Sequence, residues 1–218
     1  MMSLNKGLII LALCGFLASC ATTKNQEKDP AFAYQGGTVS VVDDYGDCFI
    51  SIDGPINAAL EKAFAKAKSS LEGLECVEKI VLIKSNGGDI EVAMRIGREI
   101  RSGKYATDMH GYCESACAFI YIGGVRRFAH QNSRIVDNSK LGVHQPASEL
   151  LFQQSIANDP KNGLITQSIR QYLALMLPPL GASTLSKEMF ETSCKRITYI
   201  DANTLLRSGI ATEVVDFH

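Results

Sequence analysis

The chain has 218 residues, 46% of them hydrophobic and 21% charged, the composition of a globular protein. Its 22 Lys and Arg nearly cancel 23 Asp and Glu, leaving a net charge of −1. This excludes the basic footprint of a nucleic-acid binder, a polybasic membrane patch and an acidic disordered tail. The length suits one domain with its own core and leaves no room for two large ones. Met1 to Lys6 is a short leader whose only side-chain charge is Lys6, and residues 7–18 are an uninterrupted apolar run. That run is too short to span a bilayer, which takes about 20 residues, but it suits the core of an export signal.

The run ends in Leu17-Ala18-Ser19-Cys20, which resembles the lipobox of bacterial lipoproteins. The resemblance implies a diacylglycerol on Cys20 and removal of residues 1–19. With Ala21 rather than Asp next to the lipid, it implies the outer membrane of a Gram-negative cell, facing the periplasm. A plain secretory signal cut near Ala21 is the alternative. Residues 20–37 are polar, with Lys24, Glu27, Lys28 and Pro30, and are expected to form a flexible tether. A single domain is then expected over 38–218.

Within that domain strands and helices alternate. Val39–Val42 and Cys48–Asp53 read as strands, and Gly54-Pro55 as a turn. Ile56–Leu71 is helical, with Ile56, Ala59, Leu60, Ala63, Phe64, Ala67 and Leu71 on one face. Lys79–Lys84 has the short apolar core of a buried parallel strand. Asn86-Gly87-Gly88-Asp89 precedes a helix over Ile90–Arg101 that Gly103 ends. Tyr105–Met109 is a strand, Ser115–Ile122 a helix of small residues, and Arg126–Ala129 and Lys140–His144 short strands. Leu150–Ala157 and Leu164–Leu177 look helical, the second stopped by Pro178-Pro179 and able to pack on the core or on another subunit. Ala202–Ser208 is a last helix capped by Gly209, followed by a strand or extended tail over Ile210–Val215. This alternation predicts an α/β fold with a mainly parallel sheet.

Seven cysteines fit an oxidising compartment, which an export signal permits. Cys14 leaves with the leader and Cys20 carries the lipid. Cys48 and Cys76 each precede a strand of a neighbouring parallel pair and so share one sheet edge, which predicts a Cys48–Cys76 disulfide. Cys113–Cys194 is the second expected pair, leaving Cys117 as a buried thiol.

Three segments carry chemistry. In Ser85-Asn86-Gly87-Gly88-Asp89 two glycines between strand and helix let the backbone approach a ligand and aim amides outward. In Gly111-Tyr112-Cys113-Glu114-Ser115-Ala116-Cys117 a serine sits on a strand-to-helix turn at the carboxyl edge of the sheet, where α/β folds bind ligands. In Leu141-Gly142-Val143-His144-Gln145-Pro146 a histidine ends a short strand, where a neutral imidazole could take a proton from Ser115. Each segment alone reads as well as an ordinary turn, a cap or a structural histidine. His110, Cys113 and Cys117 have metal-ligand spacing, but no fourth ligand accompanies them.

Together and in this order the three segments resemble the proteolytic subunit of the Clp protease and its exported bacterial relatives. That family has a Ser-Pro-Gly-Gly turn, a Gly-x-x-x-Ser turn and a His-Gln-Pro segment. The stretch Tyr199–Val215 also resembles the family's closing helix and strand. The resemblance implies the ClpP/crotonase fold, repeated ββα units with a mainly parallel sheet. It further implies a serine peptidase with Ser115 as nucleophile, His144 as general base and the Gly88 and Ala116 amides as oxyanion hole, acting on a peptide or protein substrate. Neither metal nor organic cofactor is expected.

Two departures stand out. Asn86 replaces the family's proline. No Asp lies in the stretch before Tyr199 where the third catalytic member belongs, so Glu191, Asp201 or a backbone carbonyl is left to orient His144. A homo-oligomer is open, but the family's ATPase partner is not carried over, because a compartment without ATP cannot run an unfoldase. The competing reading is an inactive ClpP-like binding or scaffold lipoprotein. A Ser–Lys peptidase is disfavoured by the His-Gln-Pro context, and a crotonase-type acyl-CoA enzyme by the scarcity of CoA outside the cytoplasm.

Overall fold

Residues 29–131, 140–146 and 160–216 are described by the structure, which is a computed structural model. The expected leader, the expected lipid-site cysteine Cys20 and the helix expected over Leu150–Ala157 lie outside them. The described strands are β1 (Ala31–Tyr34), β2 (Gly37–Asp44), β3 (Asp47–Asp53), β4 (Glu78–Ser85), β5 (Ala106–Glu114), β6 (Arg127–Gln131), β7 (Lys140–Val143), β8 (Thr198–Ile200) and β9 (Glu213–Asp216). The helices are α1 (Ala58–Ser70), α2 (Ile90–Ser102), α3 (Cys117–Tyr121), α4 (Pro160–Met176), α5 (Pro179–Glu191) and α6 (Ala202–Ser208).

The strands form one sheet in the order β1-β2-β3-β4-β5-β6-β9, with β7 on β5 and β8 on β7. The central pairs β3–β4, β4–β5, β5–β6, β5–β7 and β6–β9 are parallel, and β1–β2, β2–β3 and β7–β8 are antiparallel. This is the expected α/β architecture. The tether expected to reach Gly37 needs correcting, because Ala31–Tyr34 pairs with Gly37–Ser40 as an edge strand. A run of four residues is too short to show a strand period until a partner supplies its hydrogen bonds.

Helices α1 and α2 form where the sequence patterning placed them, and α3 is shorter than the expected Ser115–Ile122, beginning at Cys117 and leaving Ser115 on the turn before it. Asn57 caps α1 by accepting from the amides of Ala59 and Leu60, and Asp89 caps α2 by accepting from Glu91 and Val92. Leu60, Ala63, Phe64 and Ala67 of α1 and Val92, Ile96 and Ile100 of α2 enter the core beside Ile50, Ile52, Val81 and Ile83. The stretch Leu164–Leu177 packs inward through Ile169, Tyr172 and Leu173 and leaves Leu175 exposed. Pro179 starts α5 as well as stopping α4, since proline suits the first helical turn. Among the described residues no helix is long and apolar enough to cross a membrane.

Cys48 and Cys76 are bonded, as expected, closing a loop of sequence separation 28. On the chain-entropy model this is worth about 3 kcal/mol. A Cys48→Ala/Cys76→Ala variant is therefore expected to lose roughly that much stability, read as a lower urea midpoint under oxidising conditions. The expected Cys113–Cys194 pair does not form. Cys113 is bonded to Cys117 and Cys194 is a half-buried free thiol, so Cys117 is not the buried thiol expected. A strand-to-helix turn folds the two residues back on each other, which sequence separation alone does not show.

Candidate active site at the fork of strand β5

Strand β5 runs further than expected, through Gly111 to Glu114. Gly111 has φ +112°, open to glycine but strained for other residues. The pairing with β4 slips there, from Ile83 opposite Met109 to Ser85 opposite Cys113. Ahead of the bulge β5 pairs with β6, through Thr107 and Asp108. Beyond it β5 pairs with β7, through Tyr112, Cys113 and Glu114. The sheet forks at this point, and Ser115 follows directly on the branch that leads to His144.

Ser115 has φ +56°, the left-handed conformation of a strained strand-to-helix turn. Its amide donates to the Gly142 carbonyl at 2.8 Å, which ties the turn to β7 two residues before His144. Behind it lies Gly87, where a Cβ would stand 2.7 Å from the Cβ of Ser115 and 3.0 Å from the amide nitrogen of Ala116. The glycine turn is pinned on three sides. Ser85, 1% exposed, accepts the Gly87 amide at 3.0 Å. Ile56 donates to the Gly87 carbonyl and accepts from the Asp89 amide, each at 2.9 Å. At Gly88 a Cβ would meet the Ile56 carbonyl at 2.2 Å, so only glycine fits. The amides of Gly88 and Ala116 have no acceptor among the described residues. The sequence signal for this role of Ser85 is a serine two residues before a glycine, the pattern of a local side-chain-to-backbone turn, and burial is what makes it structural.

His144 is half-buried at the end of β7. Its Nδ1 lies 2.6 Å from the Gln145 carbonyl. The Nδ1–H tautomer donates this bond and leaves Nε2 with its lone pair. Gln145 is anchored at the end of α5, its amide donating to the Thr192 carbonyl at 2.8 Å and its Nε2 to the Phe190 carbonyl at 2.5 Å. Neither the Ser115 hydroxyl nor His144 Nε2 makes a hydrogen bond to a described residue.

Neither carboxylate named for the third position bonds to His144. Asp201 caps α6, accepting from the amide and hydroxyl of Thr204 at 2.9 and 2.7 Å. These bonds hold its carboxyl below the ordinary carboxylate range. A depressed folded pKa adds stability that is present above the unfolded value near 4 and is lost as pH falls through the folded value. The group is exposed, so solvent screening keeps this well under about 1 kcal/mol. Asp201→Asn is expected to leave the reactivity of Ser115 unchanged, read as its rate of labelling by a fluorophosphonate probe. Its small stability cost at neutral pH is expected to vanish in acid, read from urea midpoints at both pH values. Glu191 ends α5 between the two carbonyls that anchor Gln145, and is exposed. Strand β8 pairs with β7 through Val143 opposite Thr198. One further step of that register sets Ile197, an exposed apolar residue, opposite His144.

Beside the turn, Tyr112, Glu114, Lys140 and Tyr199 line a cavity of about 190 Å³. The Tyr199 hydroxyl donates to the Glu114 carboxylate, which raises the phenol's pKa, and the Lys140 ammonium lies 5.9 Å from the Tyr199 ring centre. The metal-ligand spacing of His110, Cys113 and Cys117 carries no site, since the two sulfurs are bonded to each other.

The model of the Clp protease family matches residues 42–218. Among solved structures, ClpP1 from Listeria monocytogenes is similar at 20% identity, covering 78% of this chain and 92% of that chain, with a TM-score of 0.58. A point mutant of the same protein is similar at 22% identity, covering 78% and 91%, also with a TM-score of 0.58. The enoyl-CoA hydratase EchA3 from Mycobacterium ulcerans is similar at 13% identity, covering 81% and 77%, with a TM-score of 0.53. No curated protein matches the sequence significantly. The solved structures speak for the fold, while the family model spans all three segments around Ser115, and on that match the chain belongs to the Clp protease family.

Proposed function

We propose that the protein is a serine hydrolase, a peptidase carried on an exported chain that Cys20 anchors by lipid to the periplasmic face of the outer membrane. The observation that carries the chemistry is the left-handed Ser115 turn, pinned between Gly87 and Gly142 beside two amides that lack acceptors among the described residues. In this reading Ser115 Oγ attacks a peptide carbonyl while His144 Nε2 takes its proton. The Gly88 and Ala116 amides receive the developing oxyanion, an interaction worth about 3 kcal/mol per donor in well-studied cases. His144 then hands the proton to the leaving amine, and water repeats the sequence on the acyl-enzyme. The Gln145 carbonyl keeps the imidazole in the tautomer this needs. The leader and Cys20 support the location. The mechanism calls for neither metal nor organic cofactor.

The test is labelling of the mature protein, extracted in detergent, with a fluorophosphonate probe. The expected result is one label per chain, on the peptide that contains Ser115. A folded protein that takes no label would favour the second reading, a binding or scaffold lipoprotein. One observation supports that reading: an isoleucine stands where the register would bring an orienting carboxylate to His144.

A further inference from the structure

Cys113 and Cys117 enclose Glu114, Ser115 and Ala116, and their bond holds the two Cα atoms 5.2 Å apart. An extended chain would separate residues four apart by about 13 Å. Cys113 lies one residue before the end of β5, opposite Ser85 of β4 and Leu141 of β7. Cys117 is the first residue of α3. The bond therefore ties strand to helix across the turn that carries Ser115. Both cysteines are fully buried, so the bond belongs to the packed interior of the turn.

Its place suits geometry better than stability. Disulfide stabilisation grows with the length of the closed loop, and a separation of 4 is near the bottom of that scale while the 28 of Cys48–Cys76 is well up it. What the short loop encloses is a serine with φ +56°, a conformation that non-glycine residues leave unless the surroundings hold them. Relaxation to negative φ would swing the Ser115 hydroxyl off its line, turn the Ala116 amide and break the bond to the Gly142 carbonyl. A cross-link from residue 113 to residue 117 opposes all three.

We propose that Cys113 and Cys117 are positioning residues whose disulfide arms Ser115. Once bonded, they hold the turn in its reactive conformation; reduced, they let it relax. This inference rests on the hydrolase reading for its functional half. The chemistry is thiol–disulfide exchange with an external disulfide, R–S–S–R. One cysteine thiolate attacks it and expels R–S⁻. The other thiolate attacks the resulting mixed disulfide and expels the second R–S⁻, so two protein thiols are oxidised and one external disulfide is reduced to two thiols. Burial places this exchange before or during folding. A chain that folds under reducing conditions stays unarmed, and one that folds in an oxidising compartment is armed.

The experiment compares Cys113→Ala/Cys117→Ala with Cys48→Ala/Cys76→Ala, each purified as the mature protein. For each variant, the saturating rate of fluorophosphonate labelling, the probe's half-saturation concentration, the urea midpoint and the hydrogen exchange of the Ser115 amide are measured. Loss of the 113–117 bond is expected to slow saturating labelling at least 10-fold with the half-saturation concentration little changed, and to expose the Ser115 amide to exchange. Loss of the 48–76 bond is expected to lower the urea midpoint more and leave labelling near its wild-type rate. Because alanine also empties space in the core, Cys48→Ala/Cys76→Ala/Cys194→Ser protein, which also lacks the free thiol of Cys194, is then refolded with glutathione disulfide or with dithiothreitol, so that 113–117 is the bond that changes. Slower labelling and faster Ser115 exchange in the reduced form would support the proposal. Equal labelling and equal exchange in both forms would overturn it. Absence of labelling in every form, with exchange still dependent on the bond, would uphold the positioning role and overturn the hydrolase reading instead.

Discussion

Ser115→Ala is expected to abolish fluorophosphonate labelling, and His144→Ala to slow it at least about 10³-fold, in line with the cost of removing a base from a serine–histidine pair. The two losses have different origins. Alanine at 115 removes the attacking oxygen but leaves the turn, which keeps its backbone bond to Gly142, Gly87 at its back and the Cys113–Cys117 bond across it. Alanine at 144 leaves the hydroxyl in place, a weak nucleophile without a base. Both side chains are only half-buried, so melting temperatures are expected to stay within a few degrees of wild type, the shift of roughly 1 kcal/mol. Labelling of His144→Ala at the wild-type rate would show that another group deprotonates Ser115 and would remove His144 from the mechanism.

The second large effect is a gain. Ile197→Asp is expected to raise the rate of labelling about 10-fold or more, because loss of an orienting carboxylate costs up to about 10⁴ in turnover where it has been measured. The β7–β8 ladder sets the position. Leu141, Gly142 and Val143 face Ile200, Tyr199 and Thr198, so the register carried one step past the end of the ladder would oppose Ile197 to His144. Directly opposed residues of an antiparallel pair hold their Cβ atoms about 5 Å apart, within reach of a carboxylate to an imidazole. An aspartate there competes with the Gln145 carbonyl for the Nδ1 proton and adds charge stabilisation of the imidazolium that a carbonyl lacks. The exposure of Ile197 makes the new carboxylate cheap to accommodate. An unchanged rate would mean that the Gln145 carbonyl already orients the ring well enough and that another step limits labelling.

Much of the molecule was readable along the chain, and the reason is locality. Strands β3 and β4 and helices α1 and α2 follow from hydrophobic period, and the ends of α2 and α6 from Gly103 and Gly209, each acting within a few residues of itself. The Ser85–Asp89 turn, the position of Ser115 on a strand-to-helix turn and the position of His144 at a strand end have the same local character. Cys48–Cys76 was readable because two neighbouring parallel strands bring their starts to one edge.

Other features depend on contacts between distant segments. β1 and β8 are short and have too little pattern to announce themselves; partner strands β2 and β7 make them strands. The continuation of β5 past Gly111 depends on β7 arriving to pair with it, and without that partner a glycine reads as a turn. Asp201 resembled a catalytic carboxylate in sequence, but Thr204 recruits it as a cap. Gln145 of the His-Gln-Pro segment is fixed by carbonyls at the end of α5, a segment distant in the chain. The sequence by itself determined the fold class, the glycine ends of α2 and α6 and the order of the three segments around Ser115, because periodicity, capping and turn chemistry act over a few residues. Only the tertiary structure decided which carbonyl orients His144, which residue faces it and which cysteines bracket Ser115, because hydrogen bonds and disulfides form by distance in space, which separation along the chain does not specify.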